Sequence, residues 1–195
     1  MEKYQELVGL IEEYENALIA FSGGVDSSVV AKVARNCLSE KAIAVTLNLE
    51  IISEAEVEAS RRVAREIGIR HIIIRHEILK NERFVENSEK RCYYCKREMM
   101  EILKELAERF GIKNVLDGTN ADDMKKDRPG LTALKELEVK SPLAELNIGK
   151  KECREIARFL KLSNYDKPSV SCLATRIPYG ERITLRRLRN IESGY

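Results

Sequence analysis

Hydrophobic and polar positions follow two rhythms along the chain. Apolar and β-branched runs at Ala17 to Phe21, Ala42 to Leu47, His71 to Ile74 and Asn114 to Leu116 read as buried strands. Between them lie segments with helical spacing: Ser27 to Leu38, Ser53 to Ile67 with Val57, Val63, Ala64 and Ile67 on one face, and Lys96 to Phe110, which stops before Gly111. Such alternation predicts an α/β fold, a Rossmann-like parallel sheet with helices on both faces. Its ligand crevice should lie at the carboxyl ends of the strands, where Ser22 and Asp117-Gly118 fall. After Asp117 a Gly/Asp/Pro-rich stretch runs through Gly130, followed by a helical pattern, a break at Ser141-Pro142, and a helix from Lys150 to Leu160. Beyond Leu162 the sequence is loop-like and ends in a basic segment, Arg182 to Arg189.

The chain's 195 residues suffice for one α/β domain and a short C-terminal appendage, not for two full domains. Although 34% of residues are charged, the net charge is only +2, so the charges read as solvated helix faces and not as a nucleic-acid surface. No apolar run approaches a bilayer span, and Met1 leads into a charged amphipathic segment, Glu2 to Glu6, that does not resemble a signal peptide. A cytoplasmic protein without membrane contact is expected. Five cysteines, an odd number, favour free thiols or a metal site over a disulfide framework.

One turn carries most of the chemistry. In Phe21-Ser22-Gly23-Gly24-Val25-Asp26-Ser27-Ser28, directly after the first strand, two glycines allow backbone N–H groups to share a concavity at a helix N-terminus. An anion belongs there, with hydroxyls from Ser22, Ser27 and Ser28 around it. Asp26 would be welcome beside phosphates only with a bound metal or a ribose hydroxyl. The motif lacks the Gly-Lys-[Ser/Thr] of kinase-type loops and the Gly-x-Gly-x-x-Gly of dinucleotide folds. It resembles instead the PP-loop of the ATP pyrophosphatase superfamily, which implies cleavage between the α and β phosphates.

The cysteines divide into two groups. Cys37 and Cys153 lie on helical apolar stripes and read as core residues. Cys92 and Cys95, in Arg91-Cys92-Tyr93-Tyr94-Cys95-Lys96, have C-x-x-C spacing beside cations at a helix start, a setting that favours thiolates. Cys172 sits in the loop that follows Lys167-Pro168. Zinc, a redox dithiol, and a [4Fe-4S] cluster with one open iron all compete as readings of these three, alongside unrelated packing cysteines. After the fourth strand, Asp117 to Asp123 offers acids for Mg2+, with Asp26 and Asp122 as candidates, and Gly118 and Thr119 lie at the same sheet edge. Arg128, Lys167 and Arg176 are loop cations able to neutralise phosphates. His71 and His76 occupy strand-like positions, so a Ser/His/Asp hydrolase is improbable.

Taken in order, Ser22 to Ser28, Arg91 to Lys96, Asp117 to Asp123, Arg128-Pro129-Gly130, Ser141-Pro142-Leu143-Ala144-Glu145, and Asp166-Lys167-Pro168-Ser169 through Cys172 to Gly180 resemble the LarE family, over nearly the whole chain. The resemblance implies an adenine nucleotide alpha hydrolase-like domain over residues 1–165. Residues 166–195 would begin a sulfur-transfer segment, which in this family continues for several tens of residues more. It also implies ATP-dependent insertion of sulfur into pyridinium-3,5-biscarboxylic acid mononucleotide, with a sulfide or carrier as sulfur donor, in nickel-pincer nucleotide cofactor biosynthesis; a homo-oligomer is expected. Asp26 and Ser27 would act at the ATP end and Cys172 at the sulfur end. In one LarE type the residue matching Cys172 gives up its own sulfur; in the other, residues matching Cys92, Cys95 and Cys172 hold a [4Fe-4S] cluster. Having all three, this chain resembles the cluster type. A tRNA thiolase, an NAD-synthetase-like amidotransferase and a non-catalytic nucleotide-binding module are the alternatives.

Overall fold

The computed structural model of the protein describes residues 1–125 and 128–194. In chain order its elements are α1 (Glu2–Glu12), β1 (Ala17–Ala20), α2 (Val25–Leu38), β2 (Ala42–Asn48), α3 (Glu54–Ile67), β3 (Arg70–Arg75), α4 (Glu82–Val85) and α5 (Arg91–Arg109). These are followed by β4 (Val115–Leu116), α6 (Ala121–Met124), α7 (Pro129–Glu136), α8 (Pro142–Glu145), α9 (Lys150–Phe159) and α10 (Leu185–Ser193). The strands form one parallel sheet in the order β3-β2-β1-β4. The chain therefore changes direction across the sheet between β1 and β4, and the loops leaving those two strands part to open a crevice.

A core lies on each face, as a doubly covered parallel sheet requires. Ala17 and Ile19 of β1 point into a core shared with α1, α2, α3 and α9, while Leu18 points into a second core shared with α5 and α7. The strand period of two makes that division. α3 starts on Ser53, whose hydroxyl accepts the Glu56 N–H at 3.3 Å, and ends at Gly68 in the left-handed region. β3 differs from the buried strand expected, because it forms the sheet edge and its ends, Arg70 and Arg75, are exposed.

The C-terminal region is more ordered than its sequence suggests. Residues from Leu173 onward pack on the second core, with Leu173, Ala174, Ile177, Ile183 and Leu188 buried in it. The Leu173 N–H donates to the Ile51 carbonyl at 2.9 Å, and the Ile183 N–H to that of Val85, also at 2.9 Å. The Asn87 side-chain amide donates to the carbonyls of Pro178 at 2.7 Å and Glu181 at 2.9 Å. The basic segment is the helix α10, entered through a Thr184 cap. Among the described residues no helix is long and apolar enough to cross a membrane.

Candidate active site

The glycine loop between β1 and α2 lines a cavity of about 960 Å3. Gly23 has φ +72, and a Cβ there would stand 2.7 Å from Ser60 Cα, so the turn is closed to larger residues. Gly24 precedes α2 with no side chain capping the helix, which leaves first-turn N–H groups for an anion. Ser22, Gly24, Asp26 and Ser27 line the cavity. Ser27 Oγ donates to the Gly24 carbonyl at 3.2 Å and lies 3.1 Å from Ser22 Oγ. Ser28 departs from the expectation of a hydroxyl facing the ligand: it is fully buried and donates to the Gly24 carbonyl at 2.7 Å, bracing the loop from behind.

The loop after β4 forms the adjoining wall. Gly118 approaches α2 so closely that a Cβ would lie 2.7 Å from Ser27 N and 2.9 Å from Ser27 Cα. Gly118→Ala should therefore lower stability by about 1–3 kcal/mol and displace Ser27. An unchanged melting temperature would show that this approach is not tight. Asn120, fully buried, caps α6 and donates from Nδ2 to Asp26 Oδ2 at 2.8 Å. Burial raises the Asp26 pKa above its ordinary value, against the lowering effect of the Asn120 hydrogen bond. Of the two neighbouring acids, Asp123 lines the cavity, 3.1 Å from Arg128 and 3.6 Å from Lys150. Asp122 turns elsewhere, accepting the Lys150 backbone N–H at 2.8 Å and the Lys125 ammonium at 2.8 Å. Thr119, Arg128, Lys167 and Arg176 all line the cavity, as the sequence leads one to expect of ligand-binding residues.

Two thiols line the same cavity. Cys92 is exposed and lines the cavity with Cys172, which is half-buried in the loop after α9. Cys95 lies one helical turn from Cys92, with its thiol 3.8 Å from Met99 Sδ. The expectation that cations and the helix start hold these thiols as thiolates is corrected by burial for two of them. Burial pushes Cys95 up to about 12, with Cys172 and Cys92 adding to the effect and Lys96 opposing it. Cys172 is also raised by burial, against the Thr175 amide and the Arg91 guanidinium. Arg91 is itself buried, with its guanidinium 4.6 Å above the Tyr179 ring. Cys37 and Cys153 pack against the first core, and the Cys153 thiol lies within hydrogen-bonding reach of Asp26. His71 is lowered to about 4 by burial and sits 2.8 Å from Thr46 Oγ1, its ring edge-on to Phe21.

Comparison with known proteins joins the loop and the thiols. Residues 15–144 match the asparagine synthase family model. Over 183 residues the sequence is 31% identical to the pyridinium-3,5-bisthiocarboxylic acid mononucleotide synthase of Lactiplantibacillus plantarum, covering 93% of this chain and 66% of that protein. The chain belongs to the LarE family of PP-loop ATP pyrophosphatases. An uncharacterised Synechocystis protein is 42% identical over 97% of this LarE-family chain and 70% of its own length. The NMN synthetase of Francisella tularensis has the same fold, with a TM-score of 0.70 at 18% identity over 99% of this chain and 85% of that one. Membership places the chain among ATP-dependent adenylating enzymes.

Sequence reasoning missed several residues of this LarE-family site. Lys96, Asp123, Lys150 and Arg154 line the cavity, and Asn120 and Asn164 hold its loops from behind. Lys96 had a signal beside Cys95, where the expected helix face turns toward the crevice. The two asparagines had none, because in sequence they look like ordinary turn and cap residues.

Proposed function

We propose that the chain is an ATP-dependent sulfur transferase that converts a carboxylate of pyridinium-3,5-biscarboxylic acid mononucleotide into a thiocarboxylate, in nickel-pincer nucleotide cofactor biosynthesis. One observation carries this reading: the phosphate-loop residues Ser22, Gly24, Asp26 and Ser27 line the same cavity as Cys92 and Cys172. A carboxylate is a poor electrophile. Its oxygen attacks the α phosphorus of ATP, the bond to the β-phosphate oxygen breaks, and pyrophosphate remains on the loop from Ser22 to Ser27. A sulfur nucleophile then attacks the activated carbonyl carbon, AMP leaves, and a thiocarboxylate results.

The chain's own residues divide the work. The N-terminus of α2 and the hydroxyls of Ser22 and Ser27 grip the pyrophosphate, while Arg128, Lys150, Lys167 and Arg176 offset its charge. Asp26 and Asp123 would hold Mg2+, in keeping with the oxygen ligands that ion prefers. Among the described residues no three His, Cys, Asp or Glu side chains gather to hold a single metal ion. A [4Fe-4S] cluster takes its thiolates on separate irons, and Cys92, Cys95 and Cys172 are the residues that would hold it, with Cys92 and Cys172 lining the same cavity. When bound by these three, a [4Fe-4S] cluster supplies a replaceable source of sulfur.

The test is pyrophosphate release that depends on the mononucleotide, combined with iron and sulfide analysis after anaerobic reconstitution. About four irons per chain are expected, lost in Cys92→Ala. Iron-free protein that transfers sulfur over many turnovers would exclude the cluster. A single turnover that converts Cys172 to dehydroalanine would assign the chain to the sacrificial type. Turnover that requires tRNA, or ammonia in place of sulfur, would overturn the proposed substrate.

A further inference from the structure

Asn164, in the turn after α9, is only 7% exposed. Its Nδ2 donates to the Gly23 carbonyl at 3.0 Å and to Ser28 Oγ at 3.0 Å. Ser28 Oγ in turn donates to the Gly24 carbonyl, so one amide grips both limbs of the phosphate loop. Asn164 Oδ1 is buried without a hydrogen-bond partner among the described residues.

The same residue begins the segment that carries Cys172. The Lys167 N–H donates back to the Asn164 carbonyl at 3.0 Å, and the Lys167 carbonyl accepts from Arg154 at 3.1 Å. Residues 168–171 are exposed, and among the described residues no hydrogen bond ties them to the body of the protein. The next tether is the Leu173 N–H on the Ile51 carbonyl. Cys172 thus lies near the end of a strap along the cavity lining, fixed at its start to the phosphate loop and at its finish to the turn between β2 and α3.

We propose that Asn164 is a positioning residue that sets the register between the phosphate loop and the Cys172 strap, so that the activated carbonyl is presented to sulfur and not to water. This rests on the sulfur-transfer reading. Water attacking the same carbonyl would regenerate the carboxylate and release AMP, spending ATP without product. A misplacement of about 1 Å can cost roughly 100-fold in a bimolecular step.

The experiment measures pyrophosphate released per thiocarboxylate formed by the reconstituted chain with the mononucleotide, ATP and sulfide. In Asn164→Ala that ratio should rise at least about threefold, while KM for ATP changes by less than about fivefold. Partial unfolding would lower both products together and leave the ratio fixed. A ratio equal to that of the unaltered chain would overturn the positioning role. If Asn164→Ala does not fold, Ser28→Ala removes one of the two bonds and should raise the ratio less; no rise there would also overturn it. Failure of the unaltered chain to release pyrophosphate with the mononucleotide would overturn the sulfur-transfer reading and this role with it, an outcome distinct from an unchanged ratio.

Discussion

Cys172→Ala should abolish thiocarboxylate formation, by on the order of 1,000-fold or more, while the first-turnover burst of pyrophosphate stays within about threefold of the unaltered chain. The phosphate loop and the Cys172 segment are separate parts of the cavity lining, which makes this separation possible. The strap around Cys172 is fixed by backbone contacts, with the Cys172 carbonyl accepting the Thr175 N–H at 3.1 Å and the Thr175 hydroxyl at 2.7 Å. Removing the sulfur leaves those contacts in place. Since Cys172 is only partly buried against the second core, its truncation should cost about 1 kcal/mol. Rapid-quench measurement of both products checks the prediction. Undiminished sulfur transfer in the variant would remove Cys172 from the chemistry.

Asp26→Asn should slow MgATP-dependent pyrophosphate release by roughly 100- to 1,000-fold, equivalent to about 2.7–4 kcal/mol, without loss of stability. The second half follows from the sign of the pKa shift. Burial holds the folded-state pKa above the ordinary carboxylate value, so ionising Asp26 weakens the fold as pH rises through that interval. At neutral pH the charge is already a liability, which the amide removes. Its oxygen can still accept from Asn120 Nδ2. The melting temperature of Asp26→Asn at pH 7 should therefore equal or exceed that of the unaltered chain, with the difference shrinking toward pH 3. A marked fall at pH 7 would mean that the carboxylate is stabilised by contacts stronger than burial opposes. Pyrophosphate release at the normal rate would remove Asp26 from the nucleotide site.

Much of this architecture was legible in the sequence because buried strands and amphipathic helices differ in period. Ala42 to Leu47 has no polar face to mislead, and Val57, Val63, Ala64 and Ile67 fall on one side of α3. The phosphate loop was legible because its glycines serve a local need. The missed features depend on distant contacts. α10 has Leu188 and Ile191 as inward anchors among arginines, and the segment that leads into it is held by Val85 and Asn87, about a hundred residues earlier. Asp122 and Asp123 look equivalent in sequence, yet the start of α9 takes Asp122 as a cap and leaves Asp123 in the cavity. For Cys95 and Cys172 the neighbouring cations are visible in sequence, while the burial that opposes them is not.

The seating of residues from Leu173 onward in the same core as β1 and β2 has a consequence for how such chains diversify. A separately folded sulfur module could be exchanged whole between relatives. Here the piece bearing Cys172 is also part of what keeps Leu18, Ile43 and Val45 dry, so a foreign version would arrive with mismatched side chains and leave voids. Under the proposed sulfur transfer, change at Cys92, Cys95 or Cys172 would be tolerated more readily as a single substitution than as exchange of the whole segment from Leu173 onward.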